Sequence, residues 1–254
     1  MIVGLDKFAA HFSEYQDRYL LIGGVAVWLI LEEAGIDPRA TKDLDIVLCL
    51  EALDPDFGAA FWGFVKAGGY EIQEKSTGEK NFYRFYKPSQ PDYPVMLELF
   101  ARRPDMLTLQ DGSHLTPIPI SEAASSLSAI LLDDNYYDFL HRHTREIEGV
   151  SIVSEQGLIP LKARAWLDLT QRKEAGEKNI DTRDIKKHRN DVLRLYQILS
   201  PVIKIDAPEA ILRDLNIFLR QIEPELNQEL LKSLGVRGMT VADVIQTIRI
   251  VYGI

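Results

Sequence analysis

The feature that most constrains the fold is a short apolar run that ends in two glycines and then continues with helical spacing. Residues Tyr19–Ile22 fit a buried strand, Gly23 and Gly24 follow, and apolar residues recur with a helical period as far as Glu32. A strand that passes through a glycine turn into a helix is a building unit of sheets that carry helices on their faces. The segment therefore predicts an α/β fold.

The rest of the front half predicts more strands of the same sheet. Residues 43–50 are too rich in branched side chains for anything other than a strand, and a helix is expected from Pro55 to about Gly68. Turn-forming residues separate three further strand-like stretches, at 70–75, 81–87 and 93–100. A mixed sheet with flanking helices is completed by a helix at 121–132 and a last strand or ribbon at 146–153.

The chain changes character after Gly157, where helical periodicity replaces the strand patterns. We predict a long helix that has Pro160 in its first turn and ends near Ala175. Shorter helices are expected at 184–199, 208–222, 224–234 and 241–251. The predicted fold class is α/β (α+β), with an N-terminal mixed sheet flanked by helices in residues 1–156 and a helical domain in residues 157–254.

Charge is unevenly distributed along the chain. The net charge is −9, and residues 1–150 carry 13 basic and 24 acidic side chains, whereas residues 151–254 carry 16 and 14. An acidic protein of this kind is not expected to coat duplex DNA. The eight basic residues from Arg172 to Arg194 form a locally positive strip that could meet phosphate, although a solvated helix face is the simpler interpretation.

The sequence also bears on the compartment. Cys49 is the single cysteine, so no disulfide can form within the chain, and the first residues lack the basic start and apolar stretch of a signal peptide. The longest apolar runs, such as IVLCL, are far shorter than the roughly 20 residues that a membrane span needs. We therefore expect a cytoplasmic protein without a membrane partner.

Three carboxylates in the front half have the pattern of a metal site. Asp43 and Asp45 are two positions apart on one strand and therefore project to the same side, about 6 to 7 Å apart along the chain. Glu98 lies in an otherwise apolar strand, where an unpaired carboxylate would cost several kcal/mol. Neighbouring carboxylates repel each other unless a cation neutralises them, and hard oxygen ligands suit Mg²⁺ bound together with phosphates.

The glycine turn adds a second element to this pattern. A helix that begins at Gly23 and Gly24 offers backbone N–H groups and a positive helix end to a phosphate. Each acid also has a simpler interpretation, in which Asp43 caps the strand, Asp45 points to solvent and Glu98 faces water. The combination of glycine turn and three acids favours a phosphate and metal site over three separate surface residues.

These elements resemble the nucleotidyltransferases of the polymerase-beta superfamily. The family pattern is a strand that ends in Gly-Gly or Gly-Ser at a helix, a strand with Asp-x-Asp, and a third acid on a later strand. The matching segments here are LIGGVAVWL, TKDLDIVL and VMLELF. The long gap between glycines and aspartates is similar to that of the subgroup that includes the AbiEii-type toxins of type IV toxin–antitoxin systems.

The resemblance extends to the helical half and implies roles for it. The segment IPLKARAWLDL supplies Lys162, and DIKKHRNDVLRL supplies Lys187 and Asp191. The family places basic residues there that would neutralise the leaving pyrophosphate, while Asp191 would orient Lys187 or the nucleotide. The simpler interpretation makes both lysines surface residues, pairs Asp191 with Lys187 at i, i+4, and leaves His188 as a solvated helix residue.

The implied reaction is attack by a hydroxyl on the α-phosphate of a nucleoside triphosphate, with release of pyrophosphate. In the family scheme Asp43 and Asp45 hold two Mg²⁺ ions, Glu98 completes a metal shell or takes the proton, and Gly23 and Gly24 approach the β and γ phosphates. The acceptor could be the end of an RNA such as tRNA, with a cognate antitoxin as protein partner. Two alternatives stay open: an antibiotic-type enzyme that modifies a small molecule, and a non-catalytic member that binds a nucleotide or a partner.

Overall fold

The computed structural model of the protein describes residues 2–39, 43–48, 55–72, 82–100, 130, 133–178 and 180–254. These residues divide into two compact units. The sheet unit contains the described residues of Met1–Leu29, Arg39–Ile120 and Thr144–Val153, and the helical unit contains those of Ile30–Pro38, Ser121–His143 and Ser154–Ile254. The division into independently folding domains at residue 156 stays a prediction.

The sheet unit contains a seven-stranded mixed sheet in the described part of the chain. Its strands are β1 (Tyr19–Ile22), β2 (Asp43–Leu48), β3 (Glu71–Ile72), β4 (Phe82–Tyr86), β5 (Met96–Phe100), β6 (Thr144–Ile147) and β7 (Val150–Val153), in the spatial order β3-β4-β5-β2-β1-β7-β6. Strand β2 is antiparallel to β1 and parallel to β5, and β1 is parallel to β7. The predicted α/β class with a mixed sheet is confirmed.

One face of this sheet is covered by aromatic side chains from two helices, α1 (Leu5–His11) and α3 (Pro55–Gly68). The ring of Phe8 lies 5.2 Å from that of Tyr19, and the ring of Phe61 lies 5.6 Å from that of Phe85. Leu21 and Leu97 on the same face are fully buried. The Phe85 side chain is therefore part of the core.

Within the described residues, the strands lie at the predicted positions. Strand β5 begins at Met96 rather than at residue 93, because Pro94 lacks a backbone N–H for a sheet ladder and its carbonyl accepts a hydrogen bond of 2.6 Å from the Tyr70 hydroxyl. The expected ribbon at 146–153 is a hairpin of β6 and β7. The predicted helix at 121–132 lies outside the described residues apart from Ile130.

The helical unit is built around one long helix. Its helices are α4 (Asp134–Arg142), α5 (Glu155–Glu174), α6 (Thr182–Leu195), α7 (Glu209–Ile222), α8 (Gln228–Ser233) and α9 (Val241–Tyr252). Helix α5 packs against both α6 and α7. Trp166 of α5 meets Phe218 of α7 edge to face, with ring centroids 5.4 Å apart. None of the described helices is long and apolar enough to cross a membrane.

The predicted start of the long helix is wrong by five residues. Helix α5 begins at Glu155, so Pro160 lies inside it rather than in its first turn. Proline has no N–H, and the carbonyl four residues earlier, that of Gln156, therefore has no helical donor. The hydroxyl of Tyr252, at the end of α9, donates a hydrogen bond of 2.8 Å to this carbonyl. A distant side chain thus replaces the hydrogen bond that Pro160 removes, which sequence periodicity cannot reveal.

The helix predicted at 224–234 is also divided in the structure. Residues Glu223–Glu225 form a single 3-10 turn, and α8 begins only after Asn227, whose side chain accepts a hydrogen bond of 2.9 Å from the Leu230 N–H. An asparagine that caps a helix competes with helix continuation through the same residue. The cap therefore sets the start of α8.

Candidate functional site

The antiparallel pairing of β1 and β2 brings the glycine turn beside the aspartates. Ile22, the last residue of β1, lies opposite Asp45. Gly23 follows Ile22 directly, and Asp43 is the first residue of β2. Because antiparallel strands run in opposite directions, the end of β1 lies beside the beginning of β2. The turn into α2 (Gly23–Glu33) therefore lies near the first residues of β2.

The parallel pairing of β2 and β5 places the third acid in the same row. Asp45 is paired with Glu98, and Asp43 is paired with Met96. Paired residues on neighbouring strands lie on the same face, about 4.8 Å apart, and positions two apart on one strand share a face. The backbone positions of Asp43, Asp45 and Glu98 therefore belong to one face, opposite to the face that the aromatic residues cover.

Glu98 is buried within this face. Its relative exposure is 6%. A carboxylate at that depth is stable only with compensating charge or hydrogen bonds. Its neighbour on the other side, Arg84 of β4, occupies the adjacent position in the register. Sequence reasoning missed Arg84, although the alternation in FYRFY could have indicated a backbone position on the same face of the sheet as Glu98.

The start of α2 has the backbone of an anion-binding turn. Gly23 has a positive φ of 72°, a backbone conformation that residues other than glycine rarely adopt. Helix α2 has no acidic residue in its own first turn, so no carboxylate of the helix itself offsets its positive end. Backbone N–H groups at a helix start are the donors that bind phosphate oxygens in turns of this kind.

The donor chemistry of the three acids fits a hard divalent cation. Carboxylate oxygens are the ligands that Mg²⁺ prefers, and the register assigns three carboxylate positions to one face. Among the side chains that the structure describes, no group of three or more His, Cys, Asp or Glu could hold a metal ion. The side chains of Asp43 and Asp45 are outside that described set, so their role as ligands stays a prediction.

In the helical unit, Lys162 and Asp191 form a buried ion pair. Lys162 of α5 has its Nζ atom 3.4 Å from an Asp191 carboxylate oxygen of α6, and the two side chains are 2% and 0% exposed. The interpretation of Lys162 as a surface lysine is therefore wrong. Among the ion pairs that the structure describes, the partner of Asp191 is Lys162 rather than Lys187 on its own helix.

The other candidate residues of α6 differ in burial. Lys187 is partly exposed, as a surface lysine would be. His188 is 4% exposed, so its prediction as a solvated residue is wrong. It shares the buried face of α6 with Ile185 and Val192, at i−3 and i+4, which places it toward the core. The burial of His188 thus depends on how α6 packs, which the spacing of residues in the sequence does not specify.

Two histidines near the end of α4 pack against aromatic side chains. His143 contacts Phe139 with ring centroids 4.2 Å apart, and its Nδ1 lies 2.8 Å from the Phe139 carbonyl oxygen. His141 contacts Tyr137 at the same ring distance, 4.2 Å. Each histidine therefore packs on the aromatic residue four positions earlier in the chain.

The similarity of the chain to known proteins lies among solved structures rather than in family models or curated sequences. No protein-family model matches the chain, and no curated protein matches it in sequence. A solved structure of an antigenic nucleotidyltransferase-like protein from Paracoccidioides brasiliensis is similar to it, with 16% sequence identity and a TM-score of 0.47. The match covers 95% of this chain and 98% of that protein.

Proposed function

We propose that the protein is a Mg²⁺-dependent nucleotidyltransferase, which transfers a nucleoside monophosphate from a nucleoside triphosphate to a hydroxyl acceptor. One observation carries the proposal. The strand register aligns Ile22, Asp45 and Glu98 in one row across β1, β2 and β5, with the glycine turn directly after Ile22. The glycine turn, which we propose binds phosphate, thus lies beside the strands that carry the three carboxylate positions.

The three acids are the proposed metal ligands. Asp43, Asp45 and Glu98 would together hold two Mg²⁺ ions. When bound, these ions supply charge neutralisation for the triphosphate and lower the pKa of the attacking hydroxyl. The burial of Glu98 supports this role, because a dication is one of the few partners that compensates several neighbouring carboxylates at once.

The chain itself contributes positioning and proton transfer. Backbone N–H groups at Gly23 and Gly24 donate to phosphate oxygens, and the N-terminus of α2 favours their negative charge. The acceptor oxygen forms a bond to the α-phosphorus while the bond to the pyrophosphate oxygen breaks. In one of two possible roles, a carboxylate oxygen of Glu98 accepts the hydroxyl proton; in the other, Glu98 only completes the metal shell.

The proposed roles of Lys162, Lys187 and Asp191 differ from those that the resemblance implies, because Lys162 and Asp191 form a buried ion pair. Lys187 is partly exposed and is therefore a better candidate than the buried Lys162 for neutralising the charge of the leaving pyrophosphate. Asp191 holds Lys162 by their ion pair and would orient that lysine rather than Lys187. We propose that Lys187→Gln raises the KM for the triphosphate more than it changes kcat.

For the acceptor we propose an RNA end, such as that of tRNA, in a toxin-like protein with a cognate antitoxin. The second candidate is a small cationic acceptor, and it is favoured by the excess of 24 acidic over 13 basic side chains in residues 1–150. Incubation with labelled nucleoside triphosphates and either total RNA or an aminoglycoside separates the two. Label in RNA supports the first acceptor, and label in the aminoglycoside supports the second.

The activity itself is tested by Mg²⁺-dependent release of pyrophosphate. We expect release by the wild type in the presence of an accepted hydroxyl, and a loss of at least about a hundredfold in Asp45→Asn. The control is Asp138→Asn, which makes the same change at an exposed position of α4. Equal rates in the wild type and Asp45→Asn would contradict catalysis at this site. Nucleotide binding without turnover would instead support a non-catalytic member of the fold.

A further inference from the structure

The helical unit contains a pocket that the proposed reaction does not use. It has a volume of about 340 Å³, which is near the lower limit for pockets that bind small molecules. One wall is formed by the 3-10 turn Tyr196–Ile198 and the residues after it. The other wall is formed by the loop between α8 and α9 together with Thr247 of α9. Both walls lie within the helical unit.

The lining combines apolar walls with a few polar groups. Leu199, Pro201, Val236 and Met239 provide the apolar part. Gln197 and Thr247 provide an amide and a hydroxyl, which is the composition typical of a site for a small organic molecule. Tyr196 is 5% exposed, so packing restricts its side chain at this side of the pocket.

Arg237 is the basic residue among the described residues that line the pocket. No Asp or Glu occurs among the described residues that line it, and no ion pair described for the chain involves Arg237. The loop that carries Arg237 is held at both ends. The Val236 N–H bonds to the Leu231 carbonyl at the end of α8, and Thr240 and Asp243 form a capping box at the start of α9. An exposed guanidinium is therefore presented from a fixed loop.

The single positive charge of Arg237 favours an anion that carries one negative charge. A phosphate monoester carries nearly two negative charges at neutral pH, whereas one guanidinium neutralises a single charge. Nucleic acid is bound by several basic side chains together, and the described lining has one. A carboxylate matches the single arginine in charge and in its two-oxygen geometry.

From these observations we propose that the pocket binds a carboxylate attached to an apolar group, with the carboxylate at Arg237 and the apolar group against Leu199, Val236 and Met239. Two sources supply this chemistry: a free organic acid, and the carboxyl-terminal residue of another polypeptide. The volume accommodates an apolar group of about the size of a phenylalanine side chain.

Ligand-observed NMR of the full chain with three probes tests the proposal. The probes are N-acetyl-phenylalanine, its amide, and a hexapeptide that ends in phenylalanine with a free carboxylate. We expect the acid to bind about tenfold or more tightly than the amide. Stronger binding of the peptide than of the free acid identifies a polypeptide terminus as the source, and the reverse identifies a free acid. Equal binding of acid and amide overturns the proposal, and so does tighter binding of phenyl phosphate.

Two variants at exposed positions complete the test, each with a matched control. Arg237→Gln removes the charge and should weaken binding of the acid about tenfold, whereas Arg220→Gln, an exposed arginine on α7 outside the pocket, should not. Met239→Glu places a negative charge in the lining and should abolish binding, whereas Ile217→Glu on α7 should not. Unchanged binding in both pocket variants overturns the proposal. Pyrophosphate release should be the same in all four variants.

Discussion

At the scale of single residues, the hydroxyl of Tyr252 compensates for a proline in the middle of a helix. Burial raises the pKa of Tyr252 well above its usual range, so the hydroxyl stays protonated and acts as a donor to the Gln156 carbonyl. Tyr252→Phe should destabilise the protein by about 1–3 kcal/mol, because it leaves a buried carbonyl without a donor. Urea titration followed by circular dichroism measures this change.

A double-mutant cycle isolates the contribution of Pro160. In Pro160→Ala the residue at position 160 regains an N–H that can bond to the Gln156 carbonyl. Tyr252→Phe should therefore cost less in the Pro160→Ala background than in the wild type. A cost that is the same in both backgrounds would show that the hydroxyl acts independently of the proline.

The face of the sheet that carries Asp43, Asp45 and Glu98 gives a second prediction at the scale of single residues. If like charges at Asp43, Asp45 and Glu98 repel each other without metal, Asp45→Asn should leave the melting temperature in chelator unchanged or slightly higher. Added Mg²⁺ should then raise the melting temperature of the wild type more than that of the variant, because binding stabilises the folded state. Differential scanning calorimetry measures both effects, with Asp138→Asn as control. A clear loss of melting temperature in chelator would contradict the repulsion.

At the scale of helices, the ion pair of Lys162 and Asp191 ties α5 to α6. Removal of one partner leaves a buried charge, so Asp191→Ala should destabilise the protein by about 3–5 kcal/mol. The double variant Lys162→Met, Asp191→Leu removes both charges and should be closer to the wild type in stability. Chemical denaturation compares the three proteins. A double variant that is less stable than Asp191→Ala would show that the pair itself, rather than charge compensation, stabilises the helices.

Helix α9 should respond to acid through its capping box. Hydrogen bonds from the Thr240 backbone N–H and hydroxyl lower the pKa of Asp243 below its usual value. A lowered pKa in the folded state adds stability above the unfolded pKa, and this stability is lost as the pH falls through the folded value, below about pH 4. Hydrogen exchange of α9 amides between about pH 5 and pH 2.5 should show the loss in the wild type.

The control for this prediction removes the titrating group. In Asp243→Asn the protection of α9 relative to the other helices should be independent of pH over the same range, because an amide does not titrate there. Asp206→Asn, at an exposed position before α7, should behave as the wild type does. The same acid dependence in Asp243→Asn as in the wild type would contradict a role for this carboxylate.

The helices and strands could be predicted from sequence where local residues determine their ends. The glycine turn sets the end of β1 at Ile22, and Pro55 sets the start of α3. The start of α5 could not be predicted, because Pro160 indicates a first turn and its compensation by Tyr252 comes from 92 residues later in the chain. Side chains that form tertiary contacts therefore explain the largest error in the helical half.

At the scale of the whole molecule, the strand order explains which parts of the candidate site were predictable. The spacing of Asp43 and Asp45 is local, so their common face follows from the sequence. The pairing of Asp45 with Glu98 joins strands more than 50 residues apart, and no local pattern specifies it. The burial of Lys162 and His188 depends in the same way on packing between helices, which explains why their simpler interpretations were wrong.

The predicted division at residue 156 has a testable consequence for the whole chain. Helix α4 belongs to the helical unit, where the Tyr136 hydroxyl donates a hydrogen bond of 3.1 Å to Asp214. A fragment of residues 157–254 lacks α4 and the first residues of α5, so it should be helical but less stable than the same region in the full chain. Trp166 fluorescence during urea titration monitors the fragment, and Tyr136→Phe in the full chain measures the contribution of the hydrogen bond, about 1–3 kcal/mol. A fragment that unfolds at the same urea concentration as the full chain would support a boundary at residue 156.

The two glycines at the start of α2 are not equivalent, and this matters for recognising distant relatives. Of these two glycines, Gly23 has a positive φ, whereas Gly24 lies outside the left-handed region of the backbone map. The backbone therefore demands the smallest residue at the first position alone. A search pattern built on this protein should keep the first glycine fixed and admit a small hydroxyl residue at the second.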